Sequence, residues 1–554
     1  MNDIEFNLLD EPWIRVMDMQ CSIREVSLRE LLLQAHTFRA FSGELPTQDA
    51  AILRVALAVL HAVFSRTDET GDGDPPEDEA EAVQLWKRIW DAGRLPEKPL
   101  TDYFEKWHER FWLFHPERPF YQVADMQYGT MYNAAKLNGT ILESGNKSNP
   151  RLFLTRSREY KTKMSYAEAA RWIINLQAFD DSGGKPSSEG KAINGKLPSI
   201  GVGWLGQIGL VWVNGETIFE TLMYNLVLVN RNEISEHERP IWERSKVPCG
   251  ERIRIPYPDN LSELYTLQSR RIFLMREDSW VTEYRLLGGD FFDLENKTAT
   301  FFEPMTAWKA IKDKSQTLYY PQIHAASIQM WRECPSLLSK SKEQNNIPGV
   351  ILWIQKLISH GYLQFNTLLC LQIAAVEYVP KKSSICNLFS DKLDIHLSLF
   401  SDLGVTWRRY IQDEIELCNQ AANCLAQFAG KLFLASGGEP PKDNKRNEKQ
   451  KIDVAKAAAK SQLYFAFDIP FRRWLSSIDV DSDHIGKQQE WRRQAAVIAE
   501  KTGREMIDQA GEPAMIGRAV MEKDTKKYYS APKAWRDYRA AIRKLYQSGG
   551  EQAT

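Results

Sequence analysis

The chain has 554 residues, 43% hydrophobic and 26% charged, which is enough apolar material for roughly three or four domain-sized units, or fewer larger ones, and excludes both one small module and a largely disordered chain. Lys and Arg number 71 against 73 Asp and Glu, so the net charge of -2 gives no bulk attraction to nucleic acid or to an anionic membrane, and such binding must come from local patches. The longest apolar stretch, Ala50 to Phe64, is interrupted by Arg54 and His61 and falls short of the ~20 residues of a bilayer span; the acidic N-terminus lacks the basic start of a signal peptide, so a cytoplasmic protein without membrane contact is expected.

Ile4 to Val16 reads as strand and turn, and Leu28 to Leu33 and Gln48 to Phe64 have helical spacing of apolar residues. Between Arg66 and Glu81 eight carboxylates stand against one Arg among Gly and Pro, which predicts an exposed acidic insertion. Helical patterns resume at Ala82 to Ala92 and Leu100 to Phe114. Val123 to Asn149, polar and without periodicity, reads as a mobile loop, and Tyr166 to Gln177 as a further helix. Asp180 to Gly206 then holds seven glycines and the lysines Lys185, Lys191 and Lys196, a composition no packed element tolerates easily. Strands are expected at Gly209 to Val213, Arg271 to Met275, Val281 to Leu287 and Thr300 to Phe302. Beyond about residue 390 come four long helical patterns, Val405 to Leu434, Glu448 to Ile478, Gln488 to Met506 and Pro513 to Gln547, which suggest an antiparallel bundle. The fold class is therefore α+β: a large mixed α/β domain over residues 1–388, then a C-terminal four-helix bundle over 389–554.

Two phosphate-binding patterns fail on chemistry. Gly201 to Gly206 matches G-x-G-x-x-G but is followed by a β-rich run rather than the helix whose N–H groups would hold a pyrophosphate. Gly190 to Lys196 matches G-x-x-x-x-G-K, yet Leu197 replaces the hydroxyl residue that ligates magnesium. A nucleotide-binding enzyme using 190–206 is the alternative reading. Seven dispersed cysteines, never spaced C-x-x-C, read as reduced and mostly buried thiols; with nine scattered histidines they give no metal site, and no catalytic constellation or cofactor site stands out. What remains is a glycine-rich, lysine-bearing loop able to bring backbone N–H groups against a polyanion, and two basic runs, Lys442 to Lys460 and Arg518 to Lys544, that could touch phosphates.

Asn7-Leu8-Leu9-Asp10-Glu11-Pro12-Trp13-Ile14 resembles the opening of the CasA family, the large subunit of the type I-E CRISPR Cascade complex. Arg118 to Gln122 (RPFYQ), Ser165 to Leu176 (SYAEAARWIINL), Tyr265 to Arg271 (YTLQSRR) and Glu303 to Trp308 (EPMTAW) are similar to that family in the same order. The resemblance implies a non-enzymatic subunit that recognises the protospacer-adjacent motif in double-stranded DNA, promotes duplex opening and guide RNA pairing, and docks a recruited helicase-nuclease. Its partners would be the other Cascade subunits with their guide RNA. By position, the family's glycine-rich minor-groove loop falls on Ser182, Gly183, Gly184 and Lys185. Its wedge hairpin falls on Tyr378 to Ile385, with Lys381, Lys382 and Ser383 at the tip and Lys382 where the family commonly has Gln. A third contact maps near Lys297, and an RNA or subunit contact at Phe153.

Overall fold

A computed structural model gives the fold; it describes residues 4–124, 126–140, 156, 158–183, 201–230, 233–235, 238–292, 302–313, 316–338, 347–440, 446–522 and 525–547. The protein is of mixed α and β structure with a C-terminal helical bundle, in two compact units. One comprises Met1–Ala326, Lys340–Leu363 and Leu369–Lys392, the other Ser327–Ser339, Gln364–Leu368 and Leu393–Thr554.

The first unit is organised around the helix Pro46–Phe64, which opens on a proline whose missing N–H costs nothing there. Its 19 residues have the length and hydropathy of a membrane span, but 94% of its most apolar window is buried in protein, which is the setting of a core helix. Helices Glu97–Trp107, Tyr166–Phe179, Ile218–Asn225 and Leu261–Tyr265 pack on it. Arg54, which breaks its apolar run, donates a two-pronged fork to Glu303 at 2.9 and 3.0 Å, with both side chains almost fully buried.

Three small three-stranded antiparallel sheets surround these helices. Their orders are Ile23–Val26, Ile14–Asp18, Phe38–Phe41; Thr130–Asn133, Trp280–Gly288, Arg270–Glu277; and Ile385–His396, Leu368–Tyr378, Val211–Asn214. Most expected elements are present within a few residues. The helix expected over Leu100 to Phe114 instead ends at Trp107, and Trp112–Phe114 is a strand paired with Glu5–Asn7, because two aromatic residues flanking a leucine fit a pleated edge once a partner strand is there. Phe302 is not in a strand, and the rest of that expected strand lies outside the described residues, as do residues 125 and 141–149 of the expected loop 123–149. The described part of that loop is a correction: Thr130–Asn133 is a strand paired antiparallel with Trp280–Gly288 and runs into the turn Ala134–Lys136, because a partner strand distant in sequence supplies hydrogen bonds that no local periodicity announces. The acidic insertion is a loop only as far as Asp78, which caps the helix Glu79–Ala92. It is also tied down: Asp68 accepts from the N–H groups of Thr70, Gly71 and Gly73 at 2.9–3.2 Å, and Asp72 and Glu69 pair with Lys98 and Arg88.

In the second unit the helices Val405–Ala435, Arg446–Leu475, His484–Asp508 and Ala531–Gln547 pack on one another, joined by the short helix Met330–Leu338. Their core is aromatic: Trp331 stacks on Phe471 at 4.4 Å, Trp491 meets Phe471 edge-on at 4.9 Å, and Phe428 stacks on Tyr538 at 5.1 Å. The expected helix over Pro513 to Gln547 is a correction. A short helix, Gly511–Ile516, stops at Gly517, whose φ of +82° is open to glycine, and an antiparallel hairpin of Arg518–Glu522 and Thr525–Tyr529 precedes the last helix. Val520 is buried while its strand neighbour Ala519 is not, so a strand period of two interrupts the helical one there. The cysteines are all free, but of the seven only Cys334 and Cys418 are buried, Cys21 and Cys386 are exposed, and the expectation of mostly buried thiols does not hold.

Candidate nucleic-acid interface

The strings that carry the family resemblance are joints of the first unit. Leu9 N–H donates to Asn7 Oδ1 at 2.9 Å, and the indole of Trp13 donates to Leu8 O at 2.8 Å, closing the N-terminal turn. Ser165 and Glu168 form a reciprocal capping box at the start of Tyr166–Phe179. From that helix Arg171, almost fully buried, donates to Trp13 O at 2.7 Å and pairs with Glu25 and Glu44, tying the helix to the N-terminal turn. Gln122 of RPFYQ donates to Leu113 O at 2.7 Å and accepts from Leu274 N–H at 2.9 Å, and Glu303 of EPMTAW takes the Arg54 fork together with the Trp204 indole at 2.8 Å.

Arg270 of YTLQSRR, fully buried, fixes the glycine-rich segment. Gln177 brackets its backbone, donating to Arg270 O at 3.0 Å and accepting from Arg270 N–H at 2.8 Å. The Arg270 guanidinium pairs with Asp180 and donates to Asp181 O at 2.6 Å and to Gly201 O at 2.9 Å. One side chain thus holds the chain where it leaves the helix at 180–181 and where it returns at 201. Periodicity gives no hint of this role; only the buried position of an arginine within a conspicuous motif could have raised it.

Beyond Asp181 the segment meets the hairpin tip formed between Leu368–Tyr378 and Ile385–His396. Ser182 N–H donates to Lys382 O at 2.8 Å, and its hydroxyl lies 2.9 Å from Lys381 O and 2.7 Å from Lys382 O. Ser182 is buried, so its polar groups serve as a fastening. Asp181 Oδ1 accepts from Gly183 N–H at 2.7 Å. A Cβ built on Gly183 would stand 2.7 Å from that same oxygen and 3.2 Å from Ser383 O, so the approach of the two segments depends on the absence of a side chain. The tip is closed by Val379 N–H to Ser384 O at 2.9 Å and Lys382 N–H to Val379 O at 2.7 Å. Lys381 and Lys382 both take left-handed backbone, φ +70° and +56°, and Lys381, Lys382 and Ser383 are exposed. At the hairpin's base the Tyr378 hydroxyl donates to Phe179 O at 2.7 Å, and burial pushes that phenol well above its ordinary pKa. Two residues separated by 199 positions in sequence, Ser182 and Lys381, are therefore brought together, with two lysine side chains facing out beside a glycine.

Gly184, Lys185, Lys297 and Phe153 lie outside the described residues, as does the G-x-x-x-x-G-K pattern at 190–196. The glycines at 203 and 206 are absorbed by packing: added Cβ atoms would fall 2.4 Å from Ala178 O and 2.1 Å from the Tyr378 hydroxyl, and the turn Trp204–Gln207 leads to the strand Val211–Asn214, with no phosphate-binding helix. In the second unit Arg518 donates to Leu434 O at 2.9 Å, and Arg539 and Arg543 face Glu500 at 3.8 and 3.5 Å, so part of that basic run is already neutralised.

Residues 7–502 match the model of the family described as CRISPR-associated protein Cse1. The chain belongs to the Cse1 family. The CRISPR-associated protein CasA/Cse1 of Thermus thermophilus is 34% identical over 311 residues, 55% of this chain and 55% of that relative. The crystal structure of Thermobifida fusca Cse1 matches with a TM-score of 0.80 and 27% identity, covering 98% of both chains. A chain from a structure described as a CRISPR RNA-guided surveillance complex shares the fold with a TM-score of 0.69, covering 98% of this chain and all of that one, at 15% identity. The Cse1 fold therefore extends over essentially the whole chain, both the joints of the first unit and the bundle.

Proposed function

We propose that this chain is the large, non-catalytic subunit of an RNA-guided surveillance complex. It reads the protospacer-adjacent motif in duplex DNA through the segment at Ser182 to Lys185 and the hairpin tip at Lys381 to Ser383. Membership of the Cse1 family supports the setting, as does the same fold in a chain of a surveillance complex. The observation that carries the reading is the fastening of Ser182 to the carbonyls of Lys381 and Lys382, which sets a side-chain-free backbone at Gly183 beside two outward lysines.

The chemistry fits a minor groove. That groove is only ~6 Å wide, so a backbone without a Cβ enters where a side chain would not. Minor-groove readout is largely A·T against G·C, and tolerance of several motifs follows. A lysine stem at 382 can press between base pairs while its ammonium reaches a phosphate or a base-edge acceptor, which starts duplex opening. Base pairing with the guide then reads the rest of the target. With a net charge of -2 the free chain binds DNA weakly, and affinity comes from assembly with the other subunits and guide RNA. In that setting the chain acts in the cytoplasm, and the helicase-nuclease docks on the assembled complex.

The test compares target-duplex binding by the assembled complex with wild-type chain, without it, and with Gly183→Asp. The reading expects Gly183→Asp to behave like omission of the chain, because it adds bulk and a negative charge beside Ser383 O. Unchanged binding by a correctly assembled Gly183→Asp complex contradicts it.

A further inference from the structure

The RPFYQ string has a second face that the groove reading does not use. Its buried half is spent on packing. Phe120 stacks on Phe111 at 5.3 Å and on Trp242 at 5.9 Å, Tyr121 takes left-handed backbone at φ +57°, and Gln122 is bonded as described. None of this needs Arg118, which stands exposed at the rim of a pocket of about 410 Å³. Arg110, Arg244 and Lys246 line the same pocket, with Glu117 as the one carboxylate of its lining. Arg244 is paired with Glu263. The Arg118 N–H donates to His115 Nδ1 at 3.0 Å, but among the described residues no hydrogen bond or ion pair engages the guanidinium of Arg110 or of Arg118. That is unlike Arg54, Arg171, Arg270 and Arg271, buried arginines that are each matched to a carboxylate. Burial and then the charge of Arg118 push the half-buried Arg110 guanidinium below its ordinary pKa, and the two guanidiniums line one pocket in which cations outnumber the single carboxylate. Such a pair costs free energy in the free protein, and a bound anion removes the cost.

We propose that this pocket binds a backbone phosphate of nucleic acid through Arg110 and Arg118, with Lys246 supplying longer-range attraction. Planar guanidiniums match the oxygens of a phosphate with two parallel hydrogen bonds each, which an ammonium cannot do. The choice of nucleic acid over an acidic peptide rests on the proposed place of the chain in an RNA-guided complex. The site itself is separate from the segment at 182–183 and the hairpin tip.

Fluorescence anisotropy with the full-length chain at low salt tests it, using labelled single-stranded RNA and DNA 20-mers and a decaglutamate peptide as separate probes. Arg110→Ala with Arg118→Ala should weaken oligonucleotide binding about tenfold and flatten the slope of log affinity against log salt by about 1. Arg118→Lys, which keeps the charge and loses the fork, should fall between. The RNA and DNA arms show which backbone supplies the phosphate. Lys382→Gly is measured in parallel, and normal thermal melting of each variant shows that the fold is intact. The proposal is overturned if the double variant binds both oligonucleotides with wild-type affinity and slope, if the wild-type chain binds neither, or if only decaglutamate binding is lost. Any of these leaves the groove reading standing on its own test.

Discussion

Lys381 and Lys382 sit in a backbone region that costs an L-residue about 1 kcal/mol, so glycine would relieve the tip while lysine strains it. The proposed reading accounts for lysine at these exposed positions by a contact its side chain makes with DNA. Lys382→Gly should therefore keep or slightly raise the thermal midpoint, yet weaken target binding by the assembled complex about tenfold, or about 1.4 kcal/mol. Competition binding beside a melting curve checks both halves, and a loss of stability alone contradicts the account. Asp290 gives a pH prediction. Burial opposes its ionisation, but the hydrogen bond from Arg252 at 2.7 Å and the charge of Arg271 outweigh that and hold the carboxyl below its ordinary range. Burial pushes Arg271 down even so, which shows how dry the site is. The folded state releases the Asp290 proton more readily than the unfolded chain. Its stabilisation is complete above the ordinary carboxylate pKa of about 4 and is lost as pH falls through the lower folded value. Asp290→Asn should destabilise at pH 7 by about 3–5 kcal/mol, with a smaller deficit at pH 3, measurable by urea unfolding at the two pH values.

Among the elements, the segment at 180–183 and the hairpin are coupled through Arg270 and Ser182. Ser182→Ala removes the hydroxyl shared between two carbonyls, at about 1 kcal/mol. It should raise amide exchange at Lys381 to Ser384 while leaving the global melt nearly unchanged; unchanged exchange there contradicts the fastening. Arg270→Ala strands the buried side of Asp180 and should cost about 3–5 kcal/mol of stability. The sequence made some of this legible. Apolar content and spacing placed the helices Pro46–Phe64 and Tyr166–Phe179, buried on nearly all sides, and Val405–Ala435, buried along one side, because both patterns are local to the string. It misplaced the hairpin at 518–529, where Tyr and Lys suit strand and helix alike and a single glycine decides. It singled out Gly183 and Lys382 as candidates by position in the family resemblance. A hydrogen bond between residues 199 apart has no local signature, and nothing in the string around Arg270 marks that guanidinium as buried.

At the scale of the whole molecule, charge is balanced overall and concentrated locally, which suits a subunit whose affinity arises on assembly. In the first unit the buried arginines Arg54, Arg171, Arg270 and Arg271 are each paired with a carboxylate, and the Arg270 pair anchors the segment at 180–183. The second unit uses stacked aromatics together with the ion pair of buried Glu414 with Arg492 at 2.7 Å. The most direct measurement substitutes single bases in the duplex beside the target and follows binding by the assembled complex. Replacing guanine with inosine, or adenine with 2,6-diaminopurine, removes or adds an amino group in the minor groove and leaves the major-groove edge of the pair unchanged; 5-methylcytosine does the reverse. The account predicts that the amino-group changes alter affinity about tenfold, that methylation leaves it unaltered, and that the response disappears with Lys382→Gly or Gly183→Asp. Sensitivity to methylation with indifference to the amino groups would place the reading in the other groove and contradict it.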